Sequence, residues 1–251
     1  MHDLINFATS AGITIPVILA VFLASLVQSV TGIGFGVIAG PILLATIGSS
    51  EAIQLSIILS FLIAVLLAPG TVREANMSLL KPLLIGVVLG TPVGILAFVT
   101  LSIPTLKIIA AIVVGFMTLV AAGVLDRHPV FHRDTLARRV GAGIVCGALN
   151  ATLAMPGPPI AAYATAIKSE KQIVRATTLV AFLFAYPVAF VFQYLISDVS
   201  EQFVFTALIL AVPTVVGTLS GGFIANIFSE VFFRRLTILF LCISVAALVF
   251  S

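Results

Sequence analysis

Long apolar runs dominate the chain, and the polar residues gather in the short stretches between them. Leu83–Val99 and Ile108–Leu125 are two such runs. A transmembrane β-barrel would instead show segments of about ten residues with alternating hydrophobicity. Because helices and closed barrels are the structures that satisfy backbone hydrogen bonds in lipid, the pattern predicts an all-α membrane protein.

Two of the apolar segments are interrupted near their middles, and each stands at the start of one half of the chain. The interruptions are Thr31–Gly36 and Met155–Pro159, where glycine and proline disturb helical hydrogen bonding. In the first half, residues 1–125, the pattern predicts a broken segment at 13–47 and transmembrane helices at 52–69, 79–101 and 108–125. In the second half, residues 140–251, it predicts a broken segment at 140–167 and transmembrane helices at 173–196, 203–224 and 236–250. These are eight membrane segments when each broken one is counted once, and the polar loop 126–139 joins the halves.

Short motifs recur in the same order in the two halves. The matched pairs are Gln28 with Asn150 and Gly34 with Pro156 at an offset of 122, Gly90–Gly94 with Gly217–Gly221 at 127, and Lys107 with Arg235 at 128. Because the order is kept while the offset drifts slowly, the pattern predicts a duplicated architecture. Chance matching between apolar sequences is the alternative explanation.

The basic residues indicate how the broken segments enter the membrane. If each broken segment crossed once, the 12 Lys and Arg would divide evenly between the two sides. If each is a re-entrant hairpin, Lys107 alone lies opposite the other basic residues, which the positive-inside rule favours. Each half is then a hairpin plus three crossings, so the second half is inverted relative to the first. Loop 126–139 is cytoplasmic in this topology, and both termini lie outside.

Composition agrees with residence in lipid and narrows the chemistry. The chain is 61% hydrophobic and 8% charged, whereas soluble domains carry roughly 25% charged residues. The N-terminus has no basic region before its apolar run, so no cleaved signal peptide is expected. Cys146 and Cys242 have neither metal-site nor disulfide spacing, and His128 and His132 are expected to be solvated loop residues. No metal, cofactor or nucleic-acid partner is predicted.

The two interruptions carry the candidate chemistry. Inverted repeats with discontinuous helices are typical of secondary transporters, and the N-termini of half-helices attract anions. All nine acidic residues lie at or near segment ends, so no carboxylate is expected at mid-membrane to bind a cation. The predicted anion site consists of Gln28, Thr31, Gly32, Gly34, Phe35, Gly36, Asn150, Met155, Pro156, Gly157 and Pro158. The competing explanation is that the glycines and prolines only allow close helix packing.

Two basic residues stand at matching positions of the halves, at opposite faces of the membrane. Lys107 and Arg235 would steer an anion toward the site or, alternatively, extend to the interface without a further role.

The sequence resembles the TauE/SafE family, the sulfite exporter or 4-toluene sulfonate uptake permease family. The residues that carry the resemblance are Thr31–Gly36 with Pro41, and Met155–Pro159. Size and the duplicated arrangement also fit, and the resemblance covers essentially the whole chain. Family members often show adjacent glycines in these breaks, whereas here Phe35 interrupts the first run and prolines flank Gly157.

This resemblance implies transport of a sulfur-containing anion, such as sulfite, sulfoacetate or a sulfonate, across the bacterial inner membrane. In that membrane both termini would be periplasmic. Phe35, Phe182 and Phe184 would then face an aromatic substrate moiety, with ordinary packing as the alternative.

Residues and resemblance together predict a secondary transporter, not an enzyme, that works by alternating access. A passive anion channel, a carrier for a different small organic anion, and a non-transporting subunit of a larger complex are the alternatives. A membrane enzyme would need an intramembrane constellation of reactive side chains, yet the three histidines lie outside the apolar runs. The direction of transport, a coupling ion (H⁺ or Na⁺) and homodimer formation are left open.

Overall fold

The computed structural model describes residues 14–32, 34–124, 134–167, 169–197, 200–224 and 230–250. Within these ranges the regular elements are helical and no strand occurs. The helices are α1 (Ile15–Thr31), α2 (Phe35–Ile47), α3 (Glu51–Thr71), α4 (Met77–Thr100), α5 (Ile103–Ala121), α6 (Leu136–Leu153), α7 (Gly157–Ala166), α8 (Lys171–Ile196), α9 (Glu201–Ile224) and α10 (Glu230–Val249), with a 3₁₀ turn at Val72–Glu74. Six of them, α3, α4, α5, α8, α9 and α10, are long and apolar enough to cross a membrane. The predicted all-α membrane class is confirmed.

The helix bounds differ from the predicted ones most at the starts of α5, α6 and α10, and at the end of α5, which lies at Ala121 and not at 125. α5 begins at Ile103 instead of 108 because Ser102 accepts the N–H of Thr105 and proline stands in the first turn. α6 begins at Leu136 instead of 140 because Thr135 caps it in the same way. α10 begins at Glu230 instead of 236, so Arg234 and Arg235 lie inside a helix. The predicted loop residues His128 and His132 lie outside the described ranges.

Glycines let α4 and α6 pack with their backbones in contact. A Cβ atom at Gly90 would overlap the carbonyl oxygen of Ile144, and one at Gly94 would overlap that of Ala148. Because the contacting residue numbers rise together, the two helices run in the same direction. Small residues at a spacing of four are the usual means of close approach between membrane helices.

The same contact recurs between α9 and α1. Gly217 lies against the carbonyl oxygen of Phe22, and Gly221 lies against Leu26 and Ser29. Gly217 follows Gly90 by 127 residues, and Ile144 follows Phe22 by 122. These are the offsets at which the sequence halves match, so residues that the sequence comparison paired make the same kind of contact.

One end of the bundle, here named the basic side, is identified by contacts between helix starts. The N–H of Asn76, before α4, donates to Thr177 near the start of α8 at 2.9 Å. The guanidinium of Arg139, near the start of α6, donates to the carbonyl of Ser78 at 2.6 Å. On the opposite side, Ser50 shares a cavity with Leu101, Ser197 and Ile103. The starts of α4, α6 and α8 therefore lie together, away from the start of α5.

A polar cluster joins both arms of the second broken segment on the basic side. Arg139 donates two hydrogen bonds to the carboxylate of Asp134, and the hydroxyl of Tyr163 on α7 donates to the same carboxylate. The hydrogen bonds from Arg139 hold the pKa of the Asp134 carboxyl below its usual value. The start of α6 and the middle of α7 are thus held together on the basic side of the bundle.

Candidate functional site

The turns that interrupt the two broken segments lie against each other inside the bundle. Gly36, in the first turn of α2, touches Ala154, which follows α6; a Cβ atom at Gly36 would overlap the Ala154 carbonyl oxygen. Gly40 faces Met155 and Ser56. The structure therefore brings together the two segments that the sequence comparison paired, although they are more than 100 residues apart.

Both interruptions begin with a left-handed residue at the end of a helix. Gly32 ends α1 with a φ of 76°, and Ala154 ends α6 with a φ of 59°. Alanine in this conformation costs roughly 1–2 kcal/mol, so the Ala154 turn is strained and is held by its surroundings. At Gly32 a side chain is excluded twice, by the backbone angle and by Arg175, whose Cγ would lie 2.7 Å from an added Cβ.

Gln28 caps the start of α2 from the preceding helix. It is completely buried, and its Oε1 accepts the N–H of Phe35 at 2.8 Å. Because that N–H requires an acceptor, the amide orientation is determined and Nε2 points the other way. Nε2 has no hydrogen-bond partner among the described residues. Gln28 therefore presents a buried, unsatisfied N–H donor beside the two turns.

Asn150, the counterpart of Gln28 in the second half, is engaged differently. Its Nδ2 donates to the carbonyl of Ala185 on α8 at 2.7 Å. The unsatisfied atom of this buried side chain is Oδ1, an acceptor. The two amides align in sequence but offer opposite chemistry.

A cavity of about 10 Å³ lies between the two turns. It is lined by Gln28, Gly34, Gly36, Val37, Ala154, Met155, Pro156, Gly157, Pro158, Phe182 and Tyr186. This volume is at the lower limit for one water molecule, roughly 10–15 Å³. In this conformation the space between the two turns is closed.

Four residues of the predicted site lie outside the wall of this cavity. Thr31 lines a larger cavity on the basic side, and Gly32 packs on Arg175. Phe35 and Asn150 are buried in the surrounding packing.

The phenylalanines of the aromatic prediction lie in different places. Phe182 lines the cavity, but Phe184 is 54% exposed on the outside of α8. Tyr186 was missed; it follows Phe182 by four residues, lies on the same helix face, and its ring packs against that of Phe182 in a tilted arrangement, with 5.1 Å between the ring centroids.

Donor geometry differs between the two helix starts at the cavity. In α2, the N–H groups of Gly36 and Val37 belong to the first turn, which has no intrahelical acceptors. In α7, Pro158 and Pro159 occupy the first turn and have no N–H. The first turn of α2 therefore offers more N–H groups than that of α7, in which Gly157 has an N–H and the two prolines have none.

The two basic residues predicted to steer a ligand stay away from this cavity. Lys107 is half-buried one turn into α5, and Arg235 is exposed on α10. The neighbouring Arg234 is also exposed, but its Nε donates to the carbonyl of Ala121 at 2.7 Å, and it lines the basic-side cavity.

Two discontinuous helix pairs meet at their turns inside the bundle, and apolar membrane helices surround them. This arrangement defines a polytopic membrane protein built like a transporter. A family model described as sulfite exporter TauE/SafE matches residues 17–248. The chain belongs to this family, as its resemblance predicted, and membership implies a membrane transporter of the sulfite-exporter type. Comparison with curated proteins and with solved structures found no match.

Proposed function

We propose that this protein is a secondary transporter that moves a small sulfur-containing anion, an organosulfonate or sulfite, across the bacterial inner membrane. The observation that carries the proposal is the unsatisfied Nε2 donor of Gln28 at the point where the two turns meet. A buried donor without a partner costs about 1–3 kcal/mol, and an oxyanion would satisfy it. The first-turn N–H groups of α2 supply further donors. Uncharged donors suit a sulfonate, which stays ionised at physiological pH.

The closed cavity supports a mechanism of alternating access. Because the space between the turns is about 10 Å³, an anion can enter only if the residues that line this space move apart. The backbone contacts of α1 with α9 and of α6 with α4 favour movement of each broken segment together with its long neighbour. A closed site that must open also favours a carrier over a passive channel.

Counterflow in liposomes tests the proposal. Purified protein in vesicles loaded with unlabelled sulfite or sulfoacetate should accumulate the labelled anion from outside, because a carrier exchanges substrate across the membrane. Vesicles without protein are the control. Equilibration without accumulation would indicate a channel, and transport of another solute with no movement of any sulfur anion would refute the substrate class.

We also propose that the broken segments are re-entrant hairpins that enter from opposite sides, with the basic side cytoplasmic. α1 runs parallel to α9 and ends beside Arg175 near the start of α8. α2 then returns to Ser50, which lies beside the end of α8. The second segment begins at Asp134 and returns to it through Tyr163. These contacts support one hairpin from each side.

Cysteine labelling tests this topology. In a Cys146→Ala, Cys242→Ala background, we expect Ser49→Cys to react with an impermeant maleimide in intact cells and Glu170→Cys to react only after permeabilisation. Permeabilised cells, in which both should label, control for reactivity. Labelling of both from one side, or with the sides reversed, would contradict the hairpin topology.

A further inference from the structure

A second cavity, of about 460 Å³, lies on the basic side at the tip of the first broken segment. It is bounded by the end of α1, the end of α5 and the starts of α8 and α10. Its polar side chains are Thr31, Gln172, Arg175, Arg234 and Thr237. Two guanidinium groups therefore border a space large enough for a small organic anion, and the space lies beside the closed site.

Arg175 is the central cation of this cavity. Its Nη2 donates to the carbonyl of Ser29, in the last turn of α1, at 2.6 Å. Its Nε is buried and has no hydrogen-bond partner in the described part of the chain. Glu74 interacts with it electrostatically, but the salt bridge found among the described residues is between Arg139 and Asp134. A guanidinium with an unsatisfied donor in apolar surroundings favours binding of an oxyanion.

One buried side chain belongs to the walls of both the basic-side cavity and the closed site. Val37, 3% exposed, lines both the basic-side cavity and the space between the two turns. A direct route between the two spaces would therefore pass Val37. The larger apolar cavity of about 710 Å³ between α5, α6 and α7 offers far fewer polar groups.

We propose that the basic-side cavity is a second anion site, in which Arg175 binds a small oxyanion before or after it passes Val37. The order of steps rests on the proposed transport function, but the binding itself does not. A purely structural role would be a cap on the carbonyl groups that end α1. The two roles differ in whether Arg175 changes anion affinity.

Titration of purified protein with sulfite, kept anaerobic, and with sulfoacetate tests the proposal. Wild type should bind two anions. Arg175→Gln should lose one of them, with at least a tenfold rise in Kd for that site, while Arg175→Lys should retain weaker binding because its charge remains but its planar donors are lost. Arg73→Gln removes an exposed charge from the same side and should bind as wild type does. Unfolding midpoints without anion identify variants that fail to fold.

Anion titrations of Gln28→Glu, alone and combined with Arg175→Gln, distinguish a failure of this inference from a failure of the proposed function. If both hold, Gln28→Glu keeps the Arg175 site alone, and the double variant binds nothing. Loss of all binding in Gln28→Glu, with unchanged binding in Arg175→Gln, would overturn this inference and leave the central site standing. Loss of all binding in Arg175→Gln, with unchanged binding in Gln28→Glu, would overturn the central site and leave the Arg175 site standing.

A lipid phosphate offers the same oxyanion chemistry to a guanidinium at the membrane boundary. Titrations in nanodiscs of phosphatidylcholine, with and without phosphatidylglycerol, distinguish the two sources. If the small anion still binds when anionic lipid is present, the cavity is a site for a small anion. Complete displacement by the lipid would overturn the proposal.

Discussion

A Gly36→Ala protein should insert into the membrane but transport at least about tenfold less substrate than wild type. The added methyl group would overlap the carbonyl oxygen of Ala154, a backbone atom that cannot rotate away. Overpacking of this kind typically costs about 1–3 kcal/mol, and about 1.4 kcal/mol changes an equilibrium constant tenfold. The two turns would be held apart, so the closed arrangement on which alternating access depends would be depopulated.

Counterflow rate and unfolding midpoint measured on the same preparation check this prediction. Gly115→Ala is the matched control, because a Cβ atom at that position of α5 meets nothing within 4 Å. It should transport normally and gain slightly in stability, since alanine is the better helix former by about 1 kcal/mol. Wild-type transport by Gly36→Ala would show that the contact between the turns is dispensable.

Gln28→Glu should weaken anion binding at the central site by at least about 100-fold, equivalent to ~2.7 kcal/mol. The substitution keeps the shape of the side chain, and one carboxylate oxygen still accepts the N–H of Phe35, as Oε1 does now. The other position changes from an N–H donor to a negatively charged oxygen. An anion would lose a hydrogen bond and meet a like charge in a buried site.

Gln54→Glu is the control for burying a carboxylate. The Nε2 of Gln54 is also buried without a partner in the described structure, but Gln54, on α3, does not line the cavity. Both variants should lose stability, and only Gln28→Glu should lose affinity, as measured by titration with sulfite. An unchanged Kd for Gln28→Glu would remove Gln28 from the site, and equal losses in both would indicate general destabilisation.

Local sequence was sufficient to predict the membrane class, the helices and the position of each interruption. Glycine and proline act through the backbone at their own positions, so Thr31–Gly36 and Met155–Pro159 could be recognised without tertiary information. Helix starts were less accurate: α10 begins at Glu230, six residues before the expected 236. Hydropathy averages over a window, whereas helix ends depend on individual residues near the boundary.

The chemistry of the site could be predicted only in part. Gln28 and Asn150 align at an offset of 122 and carry the same functional group. Their roles differ because the oxygen of the Gln28 amide accepts the N–H of Phe35, whereas the nitrogen of the Asn150 amide donates to the carbonyl of Ala185. No pattern along the chain distinguishes these two cases, because each depends on which backbone group lies opposite.

The sequence by itself determined that this protein is a helical membrane protein with two interrupted segments in matching order. These properties follow from local hydrophobicity and backbone preference. Only the tertiary structure decided that the interruptions meet, that the space between them is closed, and that Arg175 faces the basic-side cavity. Such properties depend on contacts between distant residues; Arg175 and Ser29, for example, are 146 positions apart.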